Sequence, residues 1–87
     1  MYDIEMRGPV EKAFHKLSRK DKKRLDIILT KIEEIRMDPQ RYKNLRSPMN
    51  HLKRVHVDSS FVIVFSVDET RHLVVIEDYD HHDNIYG

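Results

Sequence analysis

Six histidines in 87 residues are the first chemical signal in this chain. Three of them stand beside other charged groups. His56 follows Arg54 by two positions in the run LKRVHV, so on an extended strand both side chains point the same way. His81 and His82 sit among Asp78, Asp80 and Asp83 in the segment EDYDHHDN. Two imidazoles near a cationic group suit the cleavage of RNA by its own 2′-hydroxyl. That reaction needs a base for the hydroxyl, an acid for the departing 5′ oxygen, and positive charge on the phosphorane between them. Histidine titrates near neutral pH and can act as base or acid, while Arg54 or Lys53 would stabilise the added charge. DNA lacks the 2′-hydroxyl and would be spared. For His56, His81 and His82 the plainer alternative is simple exposure. A metal set drawn from Asp78, Asp80, His81, His82 and Asp83 is another. Adjacent strand residues point to opposite faces, and no distant His or Cys pair completes a tetrahedral set. The expectation is therefore chemistry without metal or cofactor. His15, on the polar side of a helix, and His51 and His72, at strand ends, read as solvated.

These residues need elements to hold them. Tyr2, Ile4 and Met6 alternate with Asp3 and Glu5, predicting a short first strand. Gly8-Pro9 ends it, and Pro9 suits a first helical position, where its missing N–H goes unused. Val10, Ala13, Phe14 and Leu17 fall at helical spacing. Ser18 and Asp21 resemble a capping pair for a second helix. Its apolar stripe is Leu25, Ile28, Leu29, Ile32 and Ile35, with Ile27 beside it, and Met37-Asp38-Pro39 ends it. Three strands follow, at about 50–57, 61–67 and 72–79. In the first, Lys53, Val55 and Val57 share one face, and Leu52, Arg54 and His56 share the other. The second is apolar on both faces, as a central strand should be. Short connectors favour antiparallel hairpins, and residues 83–86 add a last turn. The predicted fold is a single α+β domain over residues 1–87. Its order is β-α-α-β-β-β, with a helical hairpin on one face of a twisted antiparallel sheet. The other face, with Arg54 and His56, is expected to stay partly open.

Composition narrows the function classes. A domain of this size buries only about 60–65% of its unfolded surface, which leaves little room for an enclosed cofactor. With no cysteine, disulfides and thiolate metal sites are excluded. No apolar run approaches membrane-spanning length, and the opening MYDIEMRGP carries no apolar signal segment. A cytoplasmic protein with no membrane partner is the expectation. Residues 1–57 hold fifteen Lys and Arg against eight Asp and Glu, whereas residues 58–87 hold one against seven. This split predicts a basic surface for a polyanion, with Lys12, Lys16, Arg19, Lys20, Lys22, Lys23 and Arg24 on the helical hairpin as a solvated or phosphate-contacting face.

The stretch YKNLRSPMNHLKRVHVDSSFVIVFSVDE, followed by DYDHHDNIYG, resembles the second half of RelE/ParE superfamily toxins, and most of all the RelE/YafQ type. In that type a strand with an R-x-x-H-V-like segment precedes an aromatic-led central strand, and the chain ends in a His and an aromatic-containing tail. The motifs cover about residues 41–87, and the element order covers the whole chain. The resemblance implies a metal-free endoribonuclease toxin that cuts mRNA in the ribosomal A site and is silenced by a cognate antitoxin protein, meeting DNA only through it. By this likeness His56 and His82 would be catalytic, with Arg54 on the transition-state charge and Tyr86 as the tail aromatic. Phe61 matches the aromatic of the central strand, and Lys43 lies near a position that is histidine in YafQ-like members. Lys43, Arg46, Lys53 and Phe61 would then bind RNA. Ser60 stands where the pattern has an acidic residue, and Val62 where many RelE proteins have an arginine, so charge stabilisation would fall on Arg54 and Lys53. Two alternatives without nuclease activity remain: a ParE-like gyrase inhibitor, and a degenerate toxin that only binds its antitoxin. Val62, Val64 and the helical stripe predict spare apolar surface where an amphipathic antitoxin helix would lie.

Overall fold

The computed structural model describes residues 1–86, with side chains for 1–85. The chain runs β1 (Asp3–Met6), α1 (Gly8–Lys20), α2 (Lys22–Met37), a 3-10 turn (Pro39–Arg41), β2 (Lys53–His56), β3 (Phe61–Asp68), β4 (Leu73–His81) and α3 (His82–Tyr86). Each boundary has a local cause. Proline occupies the first turn of α1, where no N–H is needed. Asp21 caps α2, its carboxylate accepting from the Arg24 amide at 3.1 Å. Ser18 takes no part in that cap: it lies within α1, and its hydroxyl donates to the His15 carbonyl.

The four strands lie in the order β1-β4-β3-β2. β2, β3 and β4 form the expected antiparallel meander. β1 departs from the antiparallel expectation: it joins the edge at β4 in parallel, Asp3 against Leu73 through Met6 against Ile76. The helical hairpin returns the chain to the sheet between β1 and the meander, so β1 and β4 run the same way. Amides at both ends fix this register, Asp3 donating to the His72 carbonyl and Arg7 to that of Ile76. A bulge between Val64 and Phe65 leaves Glu77 as an extra residue in β4. Its carboxylate accepts from Ser66 Oγ at 2.7 Å and from Arg7 Nε at 2.8 Å, tying the end of β1 to the bent strand.

The main core lies between the helices and the sheet. Val10 and Phe14 of α1 and Ile28, Ile32 and Ile35 of α2 pack on Ile63, Phe65, Val74 and Ile76. Burying each of these side chains contributes about 1.5–3 kcal/mol. Two members of the expected stripe fall outside it. Leu29 is 41% exposed and Ile27 47%, because only residues 25, 28, 32 and 35 share the arc of α2 that meets the sheet.

The second face of the sheet is partly covered and partly open, as expected. Val62 and Val64, on the side away from the helices, are buried in a smaller core with Leu52, against which Leu45 and Ile85 pack. The 42–52 segment and α3 supply this cover, which buries the two valines expected there as free apolar surface and leaves a cleft of about 310 Å³ walled by Leu45, Met49, Leu52, Val64 and Ile85.

Candidate functional site

Strand alternation sorts the candidate residues into two groups. Arg54 and His56 project from β2 on the face away from the helices, Arg54 half-buried and His56 exposed. The register aligns Arg54, Val64 and Asp78 in one row and His56, Val62 and Asp80 in the next. Adjacent strands lie about 4.8 Å apart, so the acidic ends of these rows are about 10 Å from β2 at the backbone. A cleft of about 420 Å³ opens beside Arg54, lined by Asn44, Leu45, Arg46, Arg54 and Ile85. The Lys43 carbonyl accepts from the Arg54 amide at 3.0 Å, which brings the exposed Lys43 to the same edge. Arg46 and Arg54 therefore give the cleft a cationic rim, with Lys43 and His56 at the same edge of the sheet.

His82 stands at the far end. Its amide donates to the Ser60 carbonyl at 2.8 Å, continuing the pairing one residue past β4. Counting rows puts its Cα about 12 Å from that of His56. Its ring stacks on His81 with centroids 4.7 Å apart. Its Nδ1 lies 3.1 Å from the Asp83 carboxylate, and that of His81 lies 3.5 Å from the other oxygen. Asp80 is held by Asn84 Nδ2 at 3.0 Å and by the His81 amide at 2.7 Å, and these hydrogen bonds keep its carboxyl below the usual range.

Two residues assigned to RNA binding are engaged elsewhere. Lys53 is the one buried charged residue among those described, at 9% exposure. Its ammonium donates to the Tyr42 carbonyl at 3.0 Å and to Asn44 Oδ1 at 2.9 Å, so it braces the loop against β2 and is not available to phosphate. Phe61 projects to the helical side, stacked on Tyr79 at 5.1 Å with the Arg24 guanidinium 4.9 Å above its ring. The sequence could not choose its side, because β3 is apolar on both faces. The side chain of Tyr86 lies outside the described residues.

Three features went unseen in the sequence. One is the wall of the cleft, for which Leu45 and Ile85 were the signal, apolar residues in otherwise polar segments. Another is that the His81 and His82 rings stack on one side, where strand alternation placed them on opposite faces. The last is the Asp58 turn that sets the β2–β3 register. Asp58 accepts from the Ser60 and Phe61 amides at 2.7 and 2.9 Å and from Arg24 Nη1 at 2.7 Å. These bonds, the amides first, lower its carboxyl pKa.

Comparison with known proteins adds a lineage to this geometry. No protein-family model matches the chain. It is 56% identical to the candidate toxin RelE4 of Methanocaldococcus jannaschii, over 99% of this chain and 92% of that one. Among solved structures, the RelBE2 toxin–antitoxin complex of Mycobacterium tuberculosis contains a similar chain at TM-score 0.76, with 20% identity, 92% of this chain and 96% of that one. YafQ of E. coli superposes with a TM-score of 0.66, 18% identity and full coverage of both chains. The solved structures speak for the fold, the relative for the family. No helix among the described residues is long and apolar enough to cross a membrane.

Proposed function

The chain belongs to the RelE/ParE toxin superfamily, and from that premise we propose that it is the toxin of a type II toxin–antitoxin pair, an endoribonuclease that cuts mRNA in the ribosomal A site. The observation that carries this reading is the placement of Arg54 and His56 on one face of β2, beside the cleft that Arg46 lines. Arg46 and Lys43 would hold the RNA backbone as cationic contacts. His56 and His82 would share the proton transfers, one taking the 2′-hydroxyl proton and the other returning a proton to the 5′ oxygen. Arg54, nearest the cleft, would neutralise the charge that builds on the phosphorane. The P–O bonds made and broken belong to the RNA and the two protons travel through the imidazoles, so the reading assigns no step to a metal or cofactor. A cytoplasmic location follows from a ribosomal substrate.

The partner in this reading is a cognate antitoxin, as in the RelBE2 complex, and DNA is met only through it. With Val62 and Val64 buried, exposed apolar side chains that an antitoxin helix would cover remain at Ile27, Leu29 and Met37 of α2 and at Met49 of the 42–52 segment.

A second reading, binding without cleavage, is favoured by one observation. Asp78 and Asp80 close the rows that Arg54 and His56 begin, and carboxylates there oppose an incoming phosphate. Expression in a bacterial translation extract, followed by mapping of RNA ends, separates the two. New ends on translated messages support the nuclease. Arrest of translation or of gyrase with intact message supports the binder.

A further inference from the structure

At the end of β4, three electron-pair donors converge on a space between neighbouring side chains. His81 Nδ1, His82 Nδ1 and an Asp83 carboxylate oxygen all lie within 4.8 Å of one another. The closest approaches are 3.1 Å for His82 to Asp83 and 3.5 Å for His81 to Asp83. A zinc ion bound about 2.0–2.1 Å from each donor would separate them by about 3.3–3.4 Å. The two histidine-to-carboxylate approaches are close to that spacing, and all three donors lie within 4.8 Å. The objection that adjacent strand residues diverge does not apply here, because β4 ends at His81 and α3 begins at His82. The turn of the backbone brings both rings to the same side, where they stack.

The Asp83 amide donates to His81 Nδ1 at 3.2 Å, a hydrogen bond that a bound ion would displace. The rings are about 40% exposed and Asp83 more so. An ion could therefore enter from solvent and complete its shell with water. Imidazole and carboxylate in this ratio suit zinc, nickel or copper in preference to magnesium.

We propose that His81, His82 and Asp83 form a low-coordination binding site for a borderline divalent metal such as zinc, and that occupancy inhibits the protein by withdrawing His82 from proton transfer. The second half rests on the nuclease reading above; the first does not. The metal here opposes catalysis, since a coordinated Nδ1 fixes the ring and its lone pair.

The test uses the intact protein with zinc chloride, nickel chloride and magnesium chloride as probes. Binding is followed by calorimetry and by the imidazole NMR signals, and cleavage is followed in the translation extract. One equivalent of zinc should bind and shift the His81 and His82 signals, leaving those of His15, His51 and His72 in place, while magnesium does neither. Loss of an outer-shell partner alone lowers metal affinity about 10–100-fold, so His81→Gln, which removes a ligand, should weaken zinc at least about tenfold. Asp83→Asn should do the same, which guards against a folding defect in either variant. Without zinc, His81→Gln should cut at the parental rate. With zinc, the parent should slow and recover on chelation, and His81→Gln should not slow. Unmoved His81 and His82 signals, or equal zinc affinity in both variants, overturns the site. Zinc that binds there without slowing cleavage overturns the inhibition. A chain that binds zinc there but cuts no message sinks the nuclease reading and leaves the site standing.

Discussion

Lys53 separates a brace from an RNA contact, and the structure gives the size of the difference. Its ammonium has two acceptors, the Tyr42 carbonyl at 3.0 Å and Asn44 Oδ1 at 2.9 Å. Lys53→Met keeps the apolar stem and removes the donor. Asn44 is exposed, so its oxygen finds water; the Tyr42 carbonyl is left to bear the desolvation penalty. One unsatisfied buried acceptor costs about 1–3 kcal/mol. The desolvation of the ammonium itself disappears, which keeps the net near the middle of that range, about 2 kcal/mol. For a domain of this size each 1 kcal/mol moves Tm by about 4–8 °C, so the midpoint should fall by about 8–16 °C. Lys53→Ala also deletes about three buried methylenes at about 0.8 kcal/mol each and should roughly double the loss. Thermal denaturation by circular dichroism reads this directly, and RNA affinity measured against salt reads the alternative. A lysine on phosphate would lower the slope of log affinity on log salt by about 0.7–0.9 when removed. If Lys53→Met melts with the parent and the salt slope falls by that amount, the brace is wrong.

Other outcomes follow from the same geometry. Asp58→Ala removes the acceptor for two amides and the Arg24 ion pair, and should destabilise the β2–β3 hairpin by about 1–3 kcal/mol, with cleavage falling as Arg54 and His56 lose register; denaturant titration and RNA-end mapping read the two effects. Asp58, Glu69, Glu77 and Asp80 all have lowered carboxyl pKa values in the fold. The stability they contribute should be present above the unfolded carboxylate values of about 4 and be lost as pH falls through the folded ones, so Tm should drop on acidification below about pH 4. Glu77→Gln, which weakens the Arg7 and Ser66 contacts, should flatten that drop. A Phe65→Ala cavity in the main core should lower stability by about 3–5 kcal/mol in denaturant titration, far more than any change on the cationic rim.

Helices were legible in the sequence because their signals are local. Pro9 and Asp21 mark their starts, and a 3.6-residue period marks their buried arc. The meander was legible for the same reason, through alternation and short connectors. What the sequence withheld depends on partners distant along the chain. Four alternating residues announce β1 but not that it lies parallel beside β4. Periodicity admits Leu29 to a stripe without saying how wide an arc the sheet covers. A strand apolar on both sides cannot say which way Phe61 faces. Lys53 reads as a cation like any other until the loop carbonyl of Tyr42 comes within reach of it. Arg54 and His56 were legible as a pair from their spacing alone, whereas the cleft beside them required the 42–52 segment and α3 to fold over Val62 and Val64.

The central claim rests on the two imidazoles to which the proton transfers are assigned. General acid or base catalysis contributes about 10²–10⁴-fold per group. The direct measurement is the single-turnover rate of message cleavage on programmed ribosomes, for the parent, His56→Ala, His82→Ala and the double variant, each first shown to be folded and ribosome-bound. Each single variant should slow cleavage by about 10²–10⁴-fold, and the double variant by less than the product of the two, because the groups act as a unit. Parental rates in both folded, ribosome-bound single variants would contradict the assignment.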